Sequence, residues 1–394
     1  MCLILASCSD PVCPGPFVRD SAGVQIIEHS TELVNALELQ RWPDANLVLG
    51  EAEGEPELEF SGIRSIAALA DGRIVVADGA SNELRTFTSD GSHQRSSGGL
   101  GSGPGEFRLL LWARAMTGDS ILAYDGALDR FTVLAADGRI IRVHRAAPVS
   151  DLPYAPVATF RDGSVLGVTA RPLGGISGDG ILIDSSTLFV HDAAGAFRDS
   201  VGHAFFMERW ARSSGIYNLV LRVPYGRTGL FAVAGDLVCV GDGGQFEIRC
   251  LTPAGALTRV IRVAVPQVAV TPADVDSHFA KMWDRRADAA RSTALRRELP
   301  FPASFPAFEL MAGARNGQLW VVSYRAPRLP ERTVFVFDDA GRLVRRFVLR
   351  ADLQIATIEA GHIYGVLRDE LGVERVARYP IHGALTKQLC KPSG

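Results

Sequence analysis

Between residues 50 and 140 the chain repeats itself in a single register. Phe60 and Phe107 lie 47 residues apart, and so do Asp78-Gly79-Ala80 and Asp125-Gly126-Ala127, and Gly91 and Gly138. A fixed period of this length marks a supersecondary unit that cannot bury its apolar face alone, so neighbouring units must stack. Size alone would divide 394 residues into two or three domains. A repeat overrides that prior, because stacked units form one long domain.

Each unit has the same order of parts. Ile66 to Leu69 is a short apolar run, followed by the hairpin dipeptide Asp71-Gly72. Ile74 to Ala77 is rich in β-branched residues. The Asp78-Gly79 bend, the strand through Leu84 and Phe87, and the turn at Ser89-Asp90-Gly91 complete four strands. The pattern continues through Asp162-Gly163 and Ala194-Gly195, through Gly235-Asp236, Asp242-Gly243 and Ala254-Gly255, through Asn316-Gly317 and Ala340-Gly341, and to Ala360-Gly361. Six units result. The reading is an all-β fold, a six-bladed β-propeller of four-stranded antiparallel blades over residues 17–390. Phe17 to Leu49, with a strand at Val24 to Ile27, is expected to pack on the ring or help close it. Two stretches interrupt the pattern. Arg171 to Gly180 is a glycine-rich loop. Thr271 to Leu299 reads as one helical insertion, with Thr271 as N-cap, Pro272 in the first turn and Asp274 near the positive end. Val275, Phe279, Met282 and Ala290 give it an apolar stripe, and Arg285, Arg286, Arg296 and Arg297 lie opposite.

The Gly101 to Phe107 link, the Asp71 to Asp78 strand pair and the Phe87 to Gly91 turn resemble those of NHL-type six-bladed propellers. With Val18 to Ile27 at the front, the chain is also similar to bacterial six-bladed propeller lipoproteins over about residues 17–380. The resemblance implies a fold and an envelope location. It implies little about chemistry, because propellers host many functions.

Residues 1–16 read as a signal-peptide remnant, lipobox and tether. Leu5-Ala6-Ser7-Cys8 has the branched, small, small, Cys pattern of a bacterial lipobox, which makes Cys8 the lipid attachment site. Only Met1 to Ser7 precede it, without Lys or Arg, which is shorter than a leader's basic and apolar regions. The expected location is the bacterial cell envelope, periplasm or surface, with the membrane reached through the lipid. If Cys8 is lipidated and Cys2 removed, Cys13, Cys239, Cys250 and Cys390 remain, an even set in an exported chain. Cys239 and Cys250 flank one hairpin and fall opposite each other, so they are either bonded or packed as small hydrophobes.

Lys plus Arg is 41 against 44 for Asp plus Glu, a net charge of −3, which excludes a long-range pull towards nucleic acid. The expected state is a monomer. Asp78, Asp125 and Asp242 are expected at one channel rim, with Arg64 and Arg114 at the channel or its mouth. A ring of Asp could hold Ca²⁺, but an Asp before Gly also caps its own turn. The eight His are scattered, and Ser102 sits in a link rather than on a strand-to-helix elbow. Two functions stay open. One is a non-catalytic tethered module that binds a protein, peptide or glycan through its channel face, without a cofactor. The other is a metal-dependent hydrolase or lyase of the gluconolactonase or NHL-lyase kind.

Overall fold

The structure, a computed structural model, describes residues 15–169, 178–213, 218–282, 295–329, 331–350, 352–359 and 361–381. Cys2, Cys8, Cys13 and Cys390, most of the Arg171 to Gly180 loop, and Arg285, Arg286 and Ala290 lie outside them. Among the described residues no helix is long and apolar enough to cross a membrane.

The strands fall into six sheets. The first runs Ile63–Ala68, Ile74–Asp78, Glu83–Phe87, His93–Gly98, and the second runs Leu110–Ala115, Ile121–Asp125, Arg130–Leu134, Ile140–His144. The opening strands of the others are Tyr154–Thr159, Leu230–Ala234, Phe308–Gly313 and Leu353–Glu359. These opening strands contact one another in cyclic order, with the last against the first. The apolar core is divided accordingly. Ala77, Leu84, Leu110 and Ala123 pack between the first two sheets, and Phe246, Phe308, Val321 and Phe337 between the fourth and fifth. Tyr364, Val366, Ile66 and Val76 fill the seam between sixth and first. Each sheet buries both faces against neighbours, which is how radially stacked sheets satisfy strands apolar on either side. This is a β-propeller arrangement.

The sheets are not uniformly four-stranded and antiparallel, as expected from the repeat. The third has five strands, because Gly180–His191 and Phe197–Ser213 form a long hairpin that Asn218–Arg222 extends. The N-terminal segment accounts for the other departures. Phe17–Ser21 and Val24–His29 add to the fourth sheet, where Val24–His29 runs parallel to Leu257–Val263. Leu39–Arg41 runs parallel to Leu343–Leu349 at the edge of the fifth. Leu47–Leu49 is the fourth strand of the sixth sheet, antiparallel to Glu374–Pro380. The segment is therefore a strap across three consecutive outer edges. Two buried side chains pin it. His29 Nδ1–H donates to Arg262 O (3.0 Å), and His29 Nε2 accepts from the Leu343 N–H (2.9 Å). Trp42 meets Phe347 and Tyr379 edge-on.

Cys239 and Cys250 are register partners in the fourth sheet, 4.2 Å apart at Cα and bonded through sulfur. The insertion is helical over Pro272–Met282 and again over 295–298. Thr271 stands at the N-cap, as expected, its carbonyl accepting from the Val275 N–H (3.2 Å), but its hydroxyl donates rather than accepts. The Asp274 carboxylate accepts from both the Thr271 N–H (2.9 Å) and hydroxyl (2.7 Å), so the third helical residue reaches back instead. Phe279 packs with Trp210, Val223 and Leu299, against the long hairpin. Arg296 pairs with Asp276, and Arg212 with Glu298. A short second helix, Thr31–Ala36, lies in the strap.

Candidate functional site

The channel has two unlike ends. At one, where second strands turn into third strands, stand the three aspartates of the repeat. Asp125 is fully buried and accepts from the N–H groups of Arg108, Leu109, Ala127 and Leu128 at 2.8–3.2 Å. Asp78, 1% exposed, accepts from the Ala80 N–H and lies 3.5 Å from Arg85. Asp242 accepts from the Gly244 N–H and pairs with Arg227 at 3.1 Å. Arg64 is exposed and lies across Gly79, where a Cβ would stand 2.5 Å from its Nε. The carboxylates are thus turned into their own turns and links rather than towards one another. Among the described residues no three His, Cys, Asp or Glu side chains form a group that could hold a metal ion.

The same end carries a cleft of about 550 Å³ between the link at Leu221 to Thr228, the helical insertion and the fifth sheet. Arg222, Tyr225, His278, Phe308, Glu309 and Tyr324 line it. Tyr225 has φ +57°, a left-handed backbone that is costly for a bulky residue and persists only when neighbours impose it. Its hydroxyl donates to Asp274 O (2.7 Å), and its ring packs 4.8 Å from Phe305, which stacks on Tyr324 at 5.5 Å. Burial lowers the His278 pKa, so the imidazole is neutral at pH 7. Burial, with help from the Glu309 charge, pushes the Tyr324 phenol up to about 12. Glu309 is occupied, accepting from Arg332 Nη1 (2.8 Å) and the Arg325 N–H (3.0 Å). The cleft offers aromatic faces, a neutral imidazole and one guanidinium, Arg222, the composition of a recognition surface.

At the opposite end, where first strands turn into second strands, a cavity of about 250 Å³ is lined by five of the six opening strands. Its polar groups are Arg114, Arg161, Arg315 and Glu359, with Thr159 and Thr357. Arg315 Nε lies 3.7 Å from Glu359 Oε2, and Arg315 also donates to Ala115 O. Arg161 Nε donates to Arg315 O (2.7 Å), tying the third sheet to the fifth across the ring. Arg114 donates to Ala113 O (3.1 Å) and rests on the Trp112 ring at 5.4 Å. Burial lowers its pKa to about 10, offset in part by Glu359, and burial raises Glu359 against Arg315 and Arg114. Arg64 and Arg114, both expected at the channel, therefore stand at opposite ends of it.

Arg161, Arg315 and Glu359 escaped the sequence reading, yet a signal was present. Each directly precedes its unit's first turn dipeptide: Asp162-Gly163, Asn316-Gly317 and Ala360-Gly361. The equivalent place in the first unit is Ala70. Charged residues recurring at one register position is the pattern to look for. Tyr225, His278 and Tyr324 lie between units, where no register locates them.

Comparison with known proteins bears on the fold alone. No family model matches the chain, and no curated protein matches it. Among solved structures, a member of the DUF4221 family from Bacteroides vulgatus is similar at 10% identity, with a TM-score of 0.50, over 89% of this chain and 99% of that one. An exported protein of Bacteroides fragilis is 13% identical, covering 90% and 99%, with a TM-score of 0.47. A gluconolactonase from Xanthomonas campestris is 13% identical, covering 93% and 96%, with a TM-score of 0.41.

Proposed function

We propose that the chain is a six-bladed propeller of the NHL-like kind, exported, monomeric and held at a membrane by a lipid on Cys8, which binds a protein, peptide or glycan through its channel face without turnover. The cleft of Tyr225, His278 and Tyr324 carries this reading. It is an aromatic recess held rigid by a strained link and a packed helix, at the end of the ring where the inter-sheet links converge. Rigid aromatic anchors give contact area at low entropic cost. The turn aspartates support it too, because their oxygens already have structural partners.

The test pairs binding with activity. Glycan and peptide arrays probed with the whole protein should yield a ligand class, and Tyr324→Ala should weaken it by at least about fivefold, the loss of one good ring contact. Equal binding by Tyr324→Ala would remove the cleft from the reading. Turnover of lactones or aryl esters with Ca²⁺, abolished by EDTA, would replace binding with the hydrolase alternative. Detergent partitioning of Cys8→Ser, expressed with its upstream codons, tests the tether, and unchanged partitioning would discard it.

A further inference from the structure

We propose that the cavity at the turn end of the channel is a separate site for a small oxyanion, a carboxylate or a phosphoryl group, gripped by Arg114, Arg161 and Arg315. The argument begins with charge. Three guanidiniums and one carboxylate line about 250 Å³, and even with the exposed Asp236, 4.0 Å from Arg161, positive charge exceeds negative. Arg114 is the extreme case. It is half-buried, donating to one backbone carbonyl and resting on one indole face. No carboxylate stands within ion-pair distance of it among the described residues. A charge taken from water without a partner is costly, and proteins keep such groups where a ligand completes the pair.

Geometry adds to this. Arg161 and Arg315 are fixed by bonds to backbone carbonyls, Arg315 O and Ala115 O, so their remaining N–H groups are held in place. Planar guanidinium forks match carboxylate and phosphate oxygens in pairs. Glu359 has a defined part: its carboxylate beside Arg315 competes with an incoming anion. The lining comes from five sheets, so an anion here would tie them together at the ring's centre. The site lies at the far end of the channel from the aromatic cleft, and neither depends on the other.

Calorimetric titration of the whole protein with inorganic phosphate and with succinate, at matched low ionic strength against chloride, tests the proposal. Saturable binding of either probe is expected, and the stronger one identifies phosphoryl or carboxylate chemistry. Arg114→Gln should weaken it at least about tenfold, the loss of a charge-assisted pair, and Arg161→Gln, at a half-exposed position, should weaken it in a protein that still folds. Glu359→Gln should tighten binding severalfold, a direction that a merely structural residue would not produce. Tyr324→Ala should leave it unchanged, which separates this site from the cleft. Absence of saturable binding by both probes, equal affinity in Arg161→Gln, or weaker binding in Glu359→Gln would each overturn the proposal.

Discussion

The two ends of the channel treat charge in opposite ways. At the aspartate end every repeat carboxylate is consumed by backbone N–H groups or a neighbouring arginine, and Asp125 alone accepts four such bonds. At the arginine end the guanidiniums line open space, with Glu359 beside Arg315 and the exposed Asp236 beside Arg161. The difference teaches what a recurring charged residue means. Recurrence at a turn that needs an acceptor indicates architecture. Recurrence at a position that needs none leaves the charge available.

The comparison breaks most easily at Asp125. Replacing it with Ala leaves four part-buried N–H groups without their charged acceptor, and urea unfolding should show a loss of about 4 kcal/mol, roughly 1 kcal/mol for each bond. Asp125→Asn, which keeps one acceptor oxygen, should recover part of it. A loss under about 1 kcal/mol would mean that the carboxylate is not structural. Next comes the covalent tie in the fourth sheet. Loop entropy for so short a closure predicts about 3 kcal/mol lost in a Cys239→Ser, Cys250→Ser double variant, read from the denaturation midpoint. Asp242→Ala should cost only about 1 kcal/mol, because Asp242 is part-exposed and holds one N–H besides its arginine. At the other end, Arg114→Gln should leave thermal stability equal or higher, because it deletes a half-buried charge that has no ion-pair partner.

Acid should act on the two ends with opposite sign. His144, stacked on Phe131 beside the aspartate end, has its pKa lowered to about 4 by burial and the nearby Arg142 charge. The folded state holds it neutral, so stability is lost as pH falls from about 6.5 towards 4. His29 in the strap follows the same sign, since protonation removes the Nε2 acceptor of Leu343. Glu359 has its pKa raised by burial, so its charged form opposes folding, and that opposition fades as pH falls through its folded value. Glu359→Gln should therefore melt slightly higher than wild type at pH 7, with the gap closing in acid. His144→Phe should flatten the acid limb of a melting-temperature profile. An unchanged limb would place the acid sensitivity elsewhere.

Legibility in the sequence follows the same line. The first two sheets were readable because their turns need Asp-Gly or Ser-Asp-Gly at fixed steps, and the 47-residue register follows from that need. The hairpin of Cys239 and Cys250 was readable because antiparallel register is set locally by its turn. The strap was not, beyond its strand at Val24 to Ile27. Its partners at Leu257–Val263, Leu343–Leu349 and Glu374–Pro380 lie hundreds of residues away, and no local pattern encodes pairing at such a distance. The third sheet was legible only as a unit interrupted at Arg171 to Gly180, because the extra length of its hairpin packs on an insertion rather than on a repeat. At the site, Arg114 was visible as a strand residue, whereas Arg161 and Arg315 looked like ordinary turn flanks until the ring brought them together.

The strap also sets an order of events. Residues 17–49 leave the ribosome before the sheets they join, yet Val24–His29, Leu39–Arg41 and Leu47–Leu49 each pair with a strand made far later, and Leu47–Leu49 must wait for Glu374–Pro380. Until then the leading segment has open hydrogen-bonding edges and an unplaced Trp42. The ring cannot close until its sixth sheet is made, so its last step is a late, non-local one of the kind that slows folding. It stays open and threadable through the making of the five sheets before.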